Sequence, residues 1–169
     1  MKPARKIAIL LYRYFPYGGL QKDFLEIAKE LQSRDILLKV FTRTWEGNIP
    51  EGLLVTEFGK RGLTNYMKNK NFVNDSFDAL QGYKPDLVLG FNKMPGLDFY
   101  FAADTCFKKE ALNKHPITKL TRRFRQSIEY ETAVFGSYSS TEVFLLNNKQ
   151  ANDFKTSYQL NSDQMIVVP

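Results

Sequence analysis

Two glycines and an acid offer the first chemistry in this sequence. Gly18 and Gly19 follow a short apolar run and precede an amphipathic one, and Asp23 stands four residues beyond them. A glycine turn that feeds a helix start presents free backbone N–H groups and the positive end of the helix dipole, which together receive an anion. Gly19 matters most in that reading, because a residue without Cβ lets a ligand approach the backbone closely. The plainer reading is an ordinary turn. Asp23 also has two readings. It is an acid placed favourably near a helix N-terminus, or, because a carboxylate repels a diphosphate, a group that faces the hydroxyls of a sugar or acceptor. Tyr17-Gly18-Gly19 is not G-x-G-x-x-G, and no G-x-x-x-x-G-K-[ST] occurs. Dehydrogenase and P-loop NTPase readings therefore lose their main support.

A second loop, residues 92–96 (NKMPG), follows another apolar run. Asn92, Lys93 and Asp98 are its polar candidates. Lys93 can hold a phosphate as a point charge, or it stands solvated in its loop. His115 is the only histidine and lies in a basic turn before Pro116. One histidine supports neither a His-based triad nor a multi-His metal site, and no metal is expected where basic side chains and helix N-termini can offset a diphosphate's charge. Cys106 is the only cysteine and has no CxxC partner. It can form no internal disulfide and reads as a small buried hydrophobe.

The net charge of +6 is concentrated. Residues 105–129 carry Lys108, Lys109, Lys114, Lys119, Arg122, Arg123 and Arg125 against Glu110 and Glu129. Outside that segment, cations and acids nearly balance. Spacing puts Lys119, Arg122, Arg123 and Gln126 on one helical face, opposite a stripe of Ile117, Leu120 and Phe124. Such a helix can lie on an anionic membrane surface, where each cation adds ~1 kcal/mol of attraction. A solvated face is the alternative. Nucleic acid ranks last, because no recognition motif accompanies the charge.

These groups need elements to position them. Residues 6–12 (KIAILLY) predict a buried strand, and Leu20, Phe24, Ile27, Ala28 and Leu31 fall on one helical face. Residues 36–41 form the next strand, so the three make a βαβ unit with parallel strands. Further strands are predicted at 53–58, 86–91, 97–103, 141–146 and 165–168. Helices are predicted within 63–83, from Pro116 along the stripe Ile117, Leu120, Phe124, Ile128 and Phe135, and over 147–158 with Asn147 or Asn148 as cap. Alternating strands and helices point to one doubly wound parallel sheet in an α/β domain. The 169 residues suffice for it, and fourteen Phe and nine Tyr exclude a disordered chain. The first apolar run is needed as a strand, which argues against a signal peptide. No run approaches the ~20 apolar residues of a spanning helix. The chain stops as a strand finishes, so the expectation is an N-terminal domain that continues in the full protein.

The stretches LYRYFPYGGLQKDF, RTWEGNIP and GFNKMPGLDFYFAAD, followed by LTRRFR, resemble the lipopolysaccharide core glucosyltransferase I family of Gram-negative bacteria. The resemblance runs through essentially the whole chain. It implies a Rossmann-like domain, the N-terminal half of a two-domain GT-B fold, from retaining enzymes that move glucose from UDP-glucose to an inner-core heptose. It implies work at the cytoplasmic face of the bacterial inner membrane, peripherally attached, with no cofactor beyond the donor. Gly18 and Gly19 match the family's glycine loop near the donor phosphate. Asp23 matches the acid beyond it, at the donor sugar or acceptor. Asn92, Lys93, Met94 and Asp98 lie in the match to a cleft-lining loop. Lys108, Lys109, Lys119, Arg122, Arg123 and Arg125 lie in the match to a membrane-contacting segment. The family's phosphate-binding cations and glutamate motif belong to a C-terminal domain absent here, so this chain alone is expected to be inactive. The extension at residues 2–6 leaves the acceptor open. Two rivals from other classes are a non-catalytic membrane-surface module and another nucleotide-utilising enzyme, such as a methyltransferase, whose glycine fingerprint is missing.

Overall fold

The computed structural model describes residues 5–158 and 162–168. Most of the 2–6 extension lies outside them. The chain forms two compact units, divided after Phe91.

The first unit holds β1 (Lys6–Tyr14), α1 (Gly19–Ser33), β2 (Leu37–Trp45), β3 (Leu54–Glu57), α2 (Asn65–Tyr83) and β4 (Leu87–Gly90). Its strands run β3-β2-β1-β4, and every pairing is parallel. β1 is central, so Ile7 to Leu11 are all buried. A central parallel strand is covered on both faces and reads as an unbroken apolar run. α1 turns Phe24 and Ala28 inward, while Leu20, Ile27 and Leu31 are half-buried at the margins of that face. α2 opens with the Thr64 hydroxyl accepting from the Met67 N–H at 3.2 Å.

The second unit holds β5 (Phe99–Ala102), α3 (Phe107–Ala111), α4 (Pro116–Lys119), α5 (Arg122–Phe135), β6 (Glu142–Leu145), α6 (Asn148–Tyr158), a 3-10 turn at Ser162–Gln164 and β7 (Met165–Val167). The strands run β5-β6-β7, again parallel. Phe135 and Phe154 stack in its core with centroids 3.8 Å apart. Asn147 caps α6 through Oδ1, which accepts from the Gln150 N–H at 2.9 Å.

Two expectations need correction. The helix predicted from Pro116 is two helices, because Thr121 ends the first and caps α5 by accepting from the Phe124 N–H. Ile117 and Leu120 consequently leave the buried stripe and are 69% and 68% exposed. Gln126, placed by spacing on the basic face, is instead buried. The five residues of α3 were not foreseen as a helix.

Candidate functional site

In parallel sheets the groups that meet ligands lie beyond the carboxyl ends of the strands. Beyond β1 the chain turns through residues 15–18 into α1. Gly18 is the N-cap, in extended conformation, and no side chain caps the helix. There is also no acid in its first turn. The opening amides and the positive helix end are thus left available to an anion. The two glycines differ. A Cβ on Gly18 would stand 1.8 Å from Gln21 Oε1 and 2.9 Å from a Phe15 ring carbon. Gln21 is itself buried and donates through Nε2 to the Arg13 carbonyl at 3.1 Å, which ties the end of β1 to α1. A Cβ on Gly19 would meet nothing within 4 Å. Gly18 therefore serves the fold, and Gly19 borders open space. Asp23 is exposed on the second turn.

The end of β2 and the loop after it brace this corner. Tyr14 and Trp45 are register partners and stack at 3.8 Å, and Phe24 from α1 meets both rings edge-on. Arg13 pairs with Glu46 at 2.6 Å. Gly47 adopts φ 95°, a conformation open to glycine, with its would-be Cβ 4.0 Å from Pro16. Trp45 is the sole tryptophan of the sequence.

In the second unit the residues 92–98 are used differently from each other. Asn92 is half-buried and Asp98 exposed. Met94 is 1% exposed and belongs to the core. The Lys93 side chain is 10% exposed, so it is not a solvated loop lysine. Its ammonium donates to Glu131 Oε2 at 2.5 Å and to the Thr105 carbonyl at 2.7 Å, lies 3.2 Å from Asp104, and sits 5.1 Å from the Phe154 ring centroid. A phosphate would compete with a carboxylate already in place.

Glu131 is the residue that the sequence reading missed. It is fully buried, and its oxygens also accept from the Phe107 and Lys108 N–H groups, both at 2.7 Å, and from the Tyr158 hydroxyl at 2.8 Å. The signal was present. Glu131 falls in the stripe between Ile128 and Phe135, at helical spacing from both, where an apolar side chain is the norm. Cys106 is buried beside it, and burial pushes the thiol above its ordinary pKa, which disfavours the reactive thiolate. His115 caps α4, its Nδ1 accepting from the Ile117 N–H at 3.3 Å. No cluster of potential metal ligands exists among the described residues.

The basic segment divides in two. Lys108 donates to the Ser157 carbonyl at 2.7 Å, and Lys109 pairs with Asp153 at 2.5 Å, so both are partly engaged within the domain. Lys119, Arg122, Arg123 and Arg125 are exposed, alongside Leu112, Ile117 and Leu120. Among the described residues, no helix is long and apolar enough to cross a membrane. A hollow of about 540 Å³ lies between α5 and α6, lined by Lys108, Thr132, Ser137 and Tyr158 among others. None of the sequence-predicted donor or acceptor residues lines it.

No protein-family model matches the chain. It is 38% identical over 164 residues to lipopolysaccharide glucosyltransferase WaaG of Escherichia coli K12, a match covering 96% of this chain and 44% of that enzyme. The crystal structure of WaaG, a glycosyltransferase involved in lipopolysaccharide biosynthesis, superposes with a TM-score of 0.94 at 36% identity and the same coverage. The chain spans less than half the length of this relative. In sequence and in Rossmann-like α/β fold it corresponds to that enzyme's N-terminal domain.

Two outcomes follow from this geometry. Gly18→Ala must displace Gln21 from the Arg13 carbonyl and should cost about 1–3 kcal/mol of stability, whereas Gly19→Ala should change it by less than about 1 kcal/mol, in the stabilising direction. Urea unfolding of the two variants compares them. Burial, and then the Glu131 carboxylate, raise the Tyr158 pKa well above its ordinary 10.0. The unfolded chain therefore ionises Tyr158 first, and this group's contribution holds below about pH 10 and is lost as pH rises further. Tyr158→Phe should be less stable at neutral pH by about 1–3 kcal/mol but should lose less stability than the native chain on going to about pH 11. Urea midpoints across that pH range provide the check.

Proposed function

We propose that this chain, a counterpart of one domain of a lipopolysaccharide glucosyltransferase in sequence and fold, is the acceptor-side domain of a retaining enzyme that moves glucose from UDP-glucose to a heptose of the lipopolysaccharide inner core. The observation that carries the reading is the match over 96% of the chain at 38% identity, which takes in the glycine loop and Asp23. The local geometry fits it. An uncapped helix N-terminus bordered by open space at Gly19 suits a donor phosphate, because the free N–H groups and the dipole offset negative charge without a metal. Asp23 lies one turn further on. Its negative charge belongs beside sugar hydroxyls rather than beside the diphosphate, so its role is to orient the donor sugar or the acceptor. Transfer proceeds on one face of the sugar: the bond from the anomeric carbon to the phosphate oxygen breaks, the acceptor oxygen bonds to the same carbon, and the departing phosphate receives the acceptor's proton. No covalent nucleophile from this chain takes part. Asn92 and Asp98 are the residues of their loop with surface to offer an acceptor, whereas Lys93 and Met94 support the loop from beneath.

The acceptor of such an enzyme is a lipid, and the chain carries a surface suited to meeting one. Exposed Leu112, Ile117 and Leu120 beside Lys119, Arg122, Arg123 and Arg125 combine apolar groups that enter a headgroup layer with cations that attract anionic lipid. The reading places the enzyme peripherally on the cytoplasmic face of the inner membrane.

In the complete transferase, Asp23→Ala should lower kcat/KM roughly 10–100-fold, the cost of one hydrogen bond from a charged group. Unchanged kcat and KM in steady-state assays would remove Asp23 from the site. Replacing Arg122, Arg123 and Arg125 with Gln should weaken sedimentation with anionic vesicles by roughly a hundredfold, at ~1 kcal/mol per cation. Equal binding by this triple variant would refute the surface assignment.

A further inference from the structure

Among the described residues, Glu131 is the only buried acid, and nothing in the proposed transfer uses it. Its donors come from three separate places. Lys93 belongs to the loop 92–98, Phe107 and Lys108 begin α3, and Tyr158 ends α6. A buried ion pair is a poor source of stability, because apolar side chains of the same volume hold helices together as well or better. What these convergent donors supply is a single defined arrangement, since any displacement strands a buried charge or an N–H group.

The arrangement joins two parts of the proposed enzyme. α3 is a helix of only five residues, too short to persist on its own hydrogen bonds. Its N-cap residue, Cys106, makes no side-chain cap. The Glu131 carboxylate takes that part, accepting from the first two amides of the helix. The same carboxylate answers the charge of Lys93, whose ammonium is further held by Thr105, two residues before α3. If α3 loosens, Glu131 loses two of its donors and Lys93 loses the alignment of its counter-charge. If α3 is held, the root of the 92–98 loop is held with it.

We propose that Glu131 is a positioning residue that locks the 92–98 loop to the start of the basic segment, so that seating this segment on an anionic surface also orders the loop that meets the acceptor. The enzyme would then present an ordered acceptor loop chiefly where its lipid acceptor is found. The inference rests on the surface reading given above, and the test separates the two.

Hydrogen exchange followed by mass spectrometry on the full-length protein reads both regions at once. Phosphatidylglycerol-containing vesicles are the probe, with phosphatidylcholine vesicles as control. Glu131→Gln keeps the shape but leaves the buried Lys93 ammonium with only the more exposed Asp104 carboxylate, 3.2 Å away, as counter-charge. The double variant Lys93→Met/Glu131→Gln removes that poorly compensated charge as well and stays measurable if the single variant folds poorly. In the native protein, anionic vesicles should slow exchange about tenfold both at 107–120 and at 92–98. In the double variant the slowing should persist at 107–120 and vanish at 92–98. Equal slowing of the loop in both proteins, or no slowing of the loop in the native one, overturns the coupling while the surface reading stands. No slowing at 107–120 in the native protein overturns the surface reading and the coupling with it.

Discussion

The corner that the site depends on exists because one residue has no side chain. The Gln21 carboxamide occupies the volume where a Cβ on residue 18 would stand, and from there it reaches back to the Arg13 carbonyl. That contact fixes the angle at which α1 leaves the end of β1. A larger residue at position 18 would have to displace Gln21 and the Phe15 ring. The aromatic brace of Tyr14, Trp45 and Phe24 holds the same corner from the side of β2. An anion site made of backbone alone needs such rigidity, because N–H groups have no rotamers with which to adjust.

Much of this architecture was legible in the residues. Unbroken apolar runs named the strands of both units, and the amphipathic spacing of Phe24 and Ala28 named the first helix and its buried face. What escaped were features whose cause lies far away in sequence. β2 continues to Trp45, past the apolar run, because its main chain keeps pairing with Arg13 and Tyr14. α3 looks like charged surface, and its stabilising carboxylate is more than twenty residues downstream. Thr121 followed by Arg-Arg-Phe is a local cap signal, but the longer apolar periodicity across it suggested one continuous helix.

The candidate site was legible to a lesser degree, for a related reason. The glycine turn and Asp23 are local, and their placement follows from strand, turn and helix. Lys93 and Met94 sit in a loop of polar and turn-forming residues, where composition suggests solvent, yet one is bound to a buried acid and the other is core. Side-chain type in a loop states what a residue can do, whereas its partners decide what it does. Glu131 makes the converse point: an acid at a core position of a helix marks an internal charge network more reliably than an acid on a surface marks a site.

The stacked pair at the end of β1 and β2 has an optical consequence. The chain contains one indole, its ring parallel to Tyr14 and its N–H directed at the Asn48 carbonyl, 3.4 Å away. All tryptophan emission from this domain thus originates beside the mouth of α1. A charged or sugar-bearing molecule settling at that corner alters the field and hydration around a single, immobilised chromophore. The domain carries its own unlabelled reporter of occupancy, at the place where occupancy matters most.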